Sequence, residues 1–129
     1  MTDEIKTHRL INRQICGTPL ETENGASRVE LIAAPAMEVD EHGLTHGGYI
    51  FGLADHAAMI AVNHPHVVLG SAEVKFLKPV QTGDALIARA NVVEEKGKKR
   101  LVRVQVTRDT TTVFEGDFTC FVLDKHVLD

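Results

Sequence analysis

A single carboxylate stands inside an otherwise apolar helical run. Between Gly47 and Val62 the only charged acid is Asp55. Three and four residues to either side of it lie Phe51, Gly52, Ala58 and Met59, so no cation on the same helix can pair with it. A buried, unpaired carboxylate costs several kcal/mol or takes up a proton. An Asp tuned in this way can act as general base or as nucleophile. The plainer alternative is a structural hydrogen bond or a place at an oligomer seam. His46-Gly47-Gly48 opens the same run. A helix N-terminus offers unpaired N–H groups and the positive end of a dipole, suited to a developing oxyanion. Glycine there lets a carbonyl approach the backbone. Asp55 follows Gly48 by seven residues, so the two share a face but stand about 10 Å apart along the axis. One helix cannot grip one carbonyl with both. Two antiparallel helices about a two-fold axis can, and the spacing predicts a site shared by two subunits.

The elements that must hold these residues follow from the pattern. The central helix is expected from Gly47 to Asn63, before Pro65, with 40–45 as the loop that leads into it. Ahead of it, Ile5 to Ile15 reads as a short amphipathic helix. Thr18-Pro19 and Asn24-Gly25 break the chain, and Arg28 to Ala34 alternates as a strand. After Pro65 the pattern turns to strands over His66–Leu77, Ala85–Glu94, Arg100–Arg108 and Thr111–Leu123. Lys96-Gly97-Lys98 and the weaker Asp109-Thr110 are the turns between them. Val74, Phe76, Val102, Val104, Val106, Phe114, Phe118 and Val122 supply the apolar face. A helix apolar on most sides needs cover on most sides, so an α+β fold is expected, with a curved antiparallel sheet wrapped around the helix.

Composition bounds the function. The 129 residues are 43% hydrophobic and 25% charged, ordinary for one globular domain. Residues 1–129 are expected to form that domain, with 1–25 as a helix-and-loop extension. A net charge of −4 argues mildly against a nucleic-acid binder, which would need a basic face. Cys16 and Cys120, far apart in sequence, read as reduced, inert thiols. The N-terminus has no apolar signal segment, and the central helix is too short to span a bilayer and contains Asp55. A cytoplasmic location is expected.

The order of elements, with His46-Gly47-Gly48, Leu53, Asp55 and Ala57, resembles the hotdog-fold acyl-CoA thioesterases, and within them the phenylacetic-acid-degradation (PaaI-like) branch. Phe76-Leu77-Lys78-Pro79 and Gly83-Asp84 extend the likeness, which runs from Arg28 to Leu123. The resemblance implies a central helix wrapped by five or six strands. It also implies hydrolysis of an acyl-coenzyme A at sites between subunits, in a dimer or a tetramer of two dimers. Asp55 would be base or nucleophile, the Gly48 N–H would polarise the carbonyl, and His46 would orient the site or contact the sulfur side. Gly47 would border the substrate. No cofactor beyond the coenzyme A of the substrate is implied.

Two positions depart from the family. Asp40 stands where many relatives carry Asn; it can accept a hydrogen bond but not donate one while ionised, and it could raise the pKa of Asp55. Leu69 stands where some relatives hold water with Ser or Thr. Ser71, two residues on and on the same strand face, is the substitute candidate. Phe51, Met59 and Phe76 could line an acyl tunnel, though at least two of them are expected in the core. Lys98 and Lys99 belong to a charged run that reads as a solvated hairpin tip or as cations for the phosphates of coenzyme A. His56 points about 100° away from Asp55 and reads as a packing or interface residue. The histidines lack a matching ligand set for a metal. Two rivals remain: a non-catalytic acyl-CoA sensor, and a hotdog hydratase or dehydratase using His46 with Asp55.

Overall fold

The computed structural model describes residues 2–129. Its elements are α1 (Arg13–Cys16), β1 (Thr18–Glu23), β2 (Ala26–Ile32), a 3-10 turn at Pro35–Met37, α2 (Gly47–Val62), β3 (Val67–Phe76), β4 (Ala85–Lys96), β5 (Lys99–Arg108) and β6 (Thr111–Val122). The strands form one antiparallel sheet in the order β1-β2-β4-β5-β6-β3. After β2 the chain leaves the sheet, crosses it as α2, and lays β3 on the far edge before returning to β4 beside β2. This is the expected hotdog arrangement, a long helix against a curved antiparallel sheet. The four strands expected after Pro65 are found within two residues of their predicted ends, and the strand predicted at Arg28–Ala34 begins and ends two residues earlier.

The core forms where the two periodicities meet. Leu86, Ala88 and Ala90 of β4, Val102, Val104 and Val106 of β5, and Phe114 and Phe118 of β6 alternate inward and are wholly buried, as period-two side chains on one sheet face must be. Against them α2 buries Ile50, Leu53, Ala54, Ala57, Ala58, Met59, Ile60 and Ala61. The alanines on both sides let helix and sheet approach closely. Each large side chain buried here contributes roughly 1.5–3 kcal/mol. The buried Ser27 hydroxyl donates to the Ala57 carbonyl at 2.6 Å, so β2 and the helix are also tied by a polar contact. No helix among the described residues is long and apolar enough to cross a membrane.

Two N-terminal expectations fail. There is no amphipathic helix from Ile5 to Ile15; α1 covers only Arg13–Cys16. The backbone before it finds partners elsewhere. Asp3 N–H donates to Thr22, Lys6 N–H donates to the Asn63 side chain, and the Asn63 amide donates to Glu4 O. Leu10, one of the apolar positions that point to that helix in the sequence, is fully exposed. Residues 18–23, read as a chain break within a helix-and-loop extension, instead form β1 and pair with β2. Pro19 is tolerated because β1 is an edge strand, and the register shifts beside it. Gly17 joins α1 to β1 at φ 96°, and a Cβ there would meet Val29, Leu53 and the Glu30 carbonyl within 3 Å.

At the other edge, Gly116 of β6 faces β3 so closely that a Cβ would stand 2.6 Å from a Val74 methyl and 2.8 Å from the Glu73 carbonyl oxygen. Backbone cannot give way as a side-chain end can. Gly116→Ala is expected to push β3 off β6 and to destabilise the fold by roughly 1–3 kcal/mol, read as a lower midpoint in chemical denaturation.

Candidate functional site

The chain enters α2 through a loop fixed at several points. Asp40 Oδ1 accepts from the N–H groups of His42 (2.9 Å) and Leu44 (3.3 Å). Val39 N–H donates to Leu44 O, Thr45 N–H to Val80 O, and His46 N–H to Met37 O. Asp84 holds the neighbouring turn, accepting from Gln81 N–H and from Arg108 at 3.1 Å. Asp40 therefore builds the loop that leads into α2. Its place requires only an acceptor, which a carboxylate supplies as well as an amide. It has no part in the pKa of Asp55, for which burial is the cause.

His46 caps α2: its Nδ1 accepts from Gly48 N–H at 2.7 Å. That acceptor role requires the lone pair on Nδ1, so a neutral ring carries its proton on Nε2. The structure thus brings His46 and Gly48 together, but in a way the sequence did not indicate. The N–H expected to polarise a carbonyl is already paired with the imidazole. A Cβ on Gly48 would stand 2.8 Å from Nδ1, so only glycine leaves room for this cap. Gly47 lies beneath Phe76, whose ring edge would be 3.1 Å from a Cβ there.

Along α2, Gly48, Phe51, Gly52, Asp55 and Val62 are among the positions not fully buried by the fold. The first four lie together at spacings of three and four as one open stripe, which the buried Ala58 and Met59 close before Val62. Asp55 lies in it half-buried. Its Oδ1 is shut off from solvent and has no hydrogen-bond partner among the described residues. Desolvation raises its carboxyl to about 6. Cys16, at the end of α1, has its Sγ 3.9 Å from where a Gly52 Cβ would be. Burial, then the charge of Asp55, raises the Cys16 thiol, and the same two causes in the same order push Cys120 to about 12. Both thiols are free and protonated at neutral pH. His56 turns away from the stripe. It is buried, its Nδ1 lies 3.0 Å from the Cys16 carbonyl, and it clamps α1 to α2.

An aromatic row the sequence did not reveal borders the stripe. Phe76, 56% exposed, meets Phe114 edge-on at 5.0 Å; Phe114 lies 6.4 Å from Phe118, and Phe118 5.4 Å from Phe51. Against the expectation that at least two of Phe51, Met59 and Phe76 would be core, Phe76 is exposed and Phe51 half-buried. Met59, 1% exposed, is core and does not line a cavity.

Ser71 does not lie on the strand face expected of it. The register slips between Leu69 and Ser71, so that Leu69 pairs with Cys120 but Ser71 pairs with Thr119. The extra residue, Gly70, inverts the alternation. Leu69 shares the inward face of buried Cys120, whereas Ser71 is exposed on the outer face. Lys98 and Lys99 lie at the β4–β5 tip, the end of the sheet where α2 finishes. Lys98 is ion-paired with Asp124 at 3.0 Å, both well exposed.

The family model of the thioesterase superfamily matches residues 42–115. A methylthioribose-1-phosphate isomerase of Aquifex aeolicus is 48% identical over 94% of this chain, and a transcription factor FapR of Caldanaerobacter subterraneus is 26% identical over 95%. The chain spans 27% of the length of the first and 62% of the second. Among solved structures, an uncharacterized protein of Pyrococcus horikoshii superposes with a TM-score of 0.99 at 53% identity, covering 100% of this chain and 99% of that one. A point mutant of the phenylacetic acid degradation protein PaaI of Thermus thermophilus gives 0.78 at 27% identity, covering 86% and 97%. A hypothetical thioesterase of Streptococcus pneumoniae solved with coenzyme A gives 0.76 at 21% identity, covering 84% and 87%, a likeness of fold.

Proposed function

Because the chain belongs to the thioesterase superfamily, we propose that it hydrolyses acyl-coenzyme A thioesters in the cytoplasm, at sites shared between two copies of the chain, with Asp55 as the reactive carboxylate. The observation that carries this reading is the buried, unpartnered Oδ1 of Asp55 on the open stripe of α2. A carboxyl at about 6 is ionised at neutral pH yet basic enough to take a proton.

In the proposed step, water adds its oxygen to the thioester carbon while Asp55 takes a proton. The carbonyl oxygen becomes an oxyanion at the start of the partner's α2. There the Gly48 N–H is released from His46 as the imidazole swings aside. The C–S bond then breaks, the proton passes from Asp55 to sulfur, and a carboxylic acid and the thiol of coenzyme A leave. Direct attack by Asp55 would expel the coenzyme A thiolate and give a mixed anhydride instead, and water attacking that anhydride at the Asp55 carbonyl would leave heavy oxygen on Asp55 after a single turnover in labelled water. The acyl group would lie along Phe51 and Phe76. The ten residues of β3, an edge strand paired on one side only among the described residues, support a sheet that continues into a second copy. A tetramer of two such dimers is the further expectation, read by sedimentation.

The test is free-thiol release from a panel of acyl-coenzyme A thioesters. Since the ionised form of Asp55 is the active one, kcat/KM is expected to climb about tenfold per pH unit below about 6 and to level off above it. A second reading, a non-catalytic acyl-CoA-binding module, is favoured by the FapR transcription factors among the relatives and by the engaged Gly48 N–H. Tight binding without thiol release from any thioester would establish the second and sink the first.

A further inference from the structure

The C-terminal end of α2 carries a concentration of positive charge that the proposed chemistry does not use. Asn63 ends the helix in the left-handed conformation, and its side chain holds the passing N-terminal segment at Glu4 and Lys6. The chain beyond β6 returns to the same place, where Leu123 N–H donates to His66 O and Leu128 N–H to His126 Nδ1. Between these segments is a concavity of about 380 Å³ lined by Lys6, His8, Arg9, His66 and His126, with Val67 in its wall. Among the described residues that line it there is no carboxylate, in a chain whose net charge is −4.

Of the carboxylates nearby, Asp124 is ion-paired with Lys98 at 3.0 Å and Glu95 with Arg100 at 3.6 Å, while Glu4 and Asp129 are exposed. Neither Lys6 nor Arg9 has an ion pair among the described residues. The crowding is felt by His64, which is held below the usual histidine range by burial first, then by His66, Arg100 and Lys6. Two permanent cations gathered with imidazole donors and without counter-charge make a receptor for a multiply charged anion.

We propose that this concavity binds the phosphate groups of a nucleotide, and, resting on the function proposed above, that they are those of the coenzyme A thioester. Asn63 lies eight residues beyond Asp55, about 12 Å along the helix. An extended pantetheine arm can cover that distance, with the thioester at Asp55 and the phosphates at Lys6 and Arg9. The phosphate contact thereby moves from the hairpin tip, where Lys98 is already paired, to the N-terminal segment.

The experiment is calorimetric titration of the full chain with adenosine 3′,5′-bisphosphate and with coenzyme A, for the wild type and for Lys6→Gln/Arg9→Gln. Lys6 is tied to Asn63 through its backbone N–H, so this exchange leaves that tie in place. The double variant is expected to bind both ligands at least about tenfold more weakly, the scale of losing two charge-assisted hydrogen bonds. Its KM for the thioester should rise more than its kcat falls. Wild-type affinity should drop with added salt. Should the double variant fold poorly, His126→Gln in the exposed tail and the wild-type salt titration carry the same test.

No bisphosphate binding by the wild type, or binding indifferent to Lys6, Arg9 and His126, overturns the site. Weakened bisphosphate binding with unchanged coenzyme A affinity supports the phosphate site but overturns its assignment to the substrate, making the ligand a separate nucleotide. The two proposals fail separately. Absence of thiol release with bisphosphate binding that depends on Lys6 and Arg9 removes the thioesterase reading alone. Asp55-dependent thiol release with coenzyme A affinity indifferent to Lys6 and Arg9 removes this one alone.

Discussion

Replacing Asp55 with Asn is expected to do two opposite things: stop thiol release and strengthen the fold. Asn keeps the size and shape of Asp but can neither take the proton of water nor attack a carbonyl. Loss of a general base reduces turnover by about 10²–10⁴-fold, and this is the drop expected for kcat with any thioester the wild type accepts. The stability effect follows from the same burial. Asp55 sits at about 6 in the folded chain against 3.8 when exposed. Its ionised form is therefore the form the fold disfavours. As pH rises from about 4 to about 6, the wild type loses stability relative to a neutral isostere, and above that the loss stays constant. At pH 7.5 the shift amounts to about 2–3 kcal/mol, so Asp55→Asn should unfold at a higher midpoint than the wild type. At pH 4 the two midpoints should converge. A variant that is inactive and less stable would mean that Asp55 makes a structural bond, and a variant that keeps its rate would mean that another group does the chemistry.

The second large effect concerns how the site is assembled. Asp55 and Gly48 of one helix stand about 10 Å apart, so the proposed chemistry pairs Asp55 of one copy with Gly48 of another. Two inactive variants then rescue one another. Gly48→Val brings a side chain into the path of the carbonyl and into the His46 cap, where even a Cβ would be 2.8 Å from Nδ1. Asp55→Asn removes the base. In a mixed dimer one site carries both defects and the other carries neither, because a two-fold interface exchanges the two residues reciprocally. Random reassociation of equal amounts makes about half of the dimers mixed, each with one intact site, and should restore about a quarter of wild-type activity. Sites built within single subunits would restore none. The readout is thiol release after the two proteins are unfolded together and refolded, set against each refolded alone.

How much was legible in the sequence can be argued residue by residue. Asp55 was legible because its type conflicts with its neighbours, and a charge without a partner in an apolar run is a local property. The helix and the four strands after Pro65 were legible for the same reason, since each period extends over many residues. The core at Val102, Val104, Val106, Phe114 and Phe118 follows from that period. What was not legible depends on partners distant in sequence. The helix expected from Ile5 to Ile15 is replaced at its start by a segment whose backbone at Asp3, Glu4 and Lys6 finds partners at Thr22 and Asn63. Residues 18–23 became a strand because β2 offered an edge, despite Pro19. Ser71 failed because one inserted residue, Gly70, reverses the parity on which same-face reasoning depends. Met59 has the right spacing for the stripe but is roofed over by packing that no helical wheel contains. The engagement of Gly48 by His46 is a choice of side-chain rotamer, which the motif allows but does not specify.

Asn63 gives the molecule a hierarchy of opening. One amide closes α2 through its left-handed backbone and grips the N-terminal segment at two points, accepting from Lys6 N–H and donating to Glu4 O. The sheet that holds Asp55 in place owes nothing to that grip. The segment can therefore detach as a unit of its own, at a free energy below that of global unfolding. In native-state hydrogen exchange, the amide of Lys6 should exchange early and in step with its neighbours, while Val104 and Phe118 wait for the whole protein. Asn63→Ala should hasten the first group and leave the second almost unmoved. The edge of the proposed anion site would then be the part of the fold most ready to open.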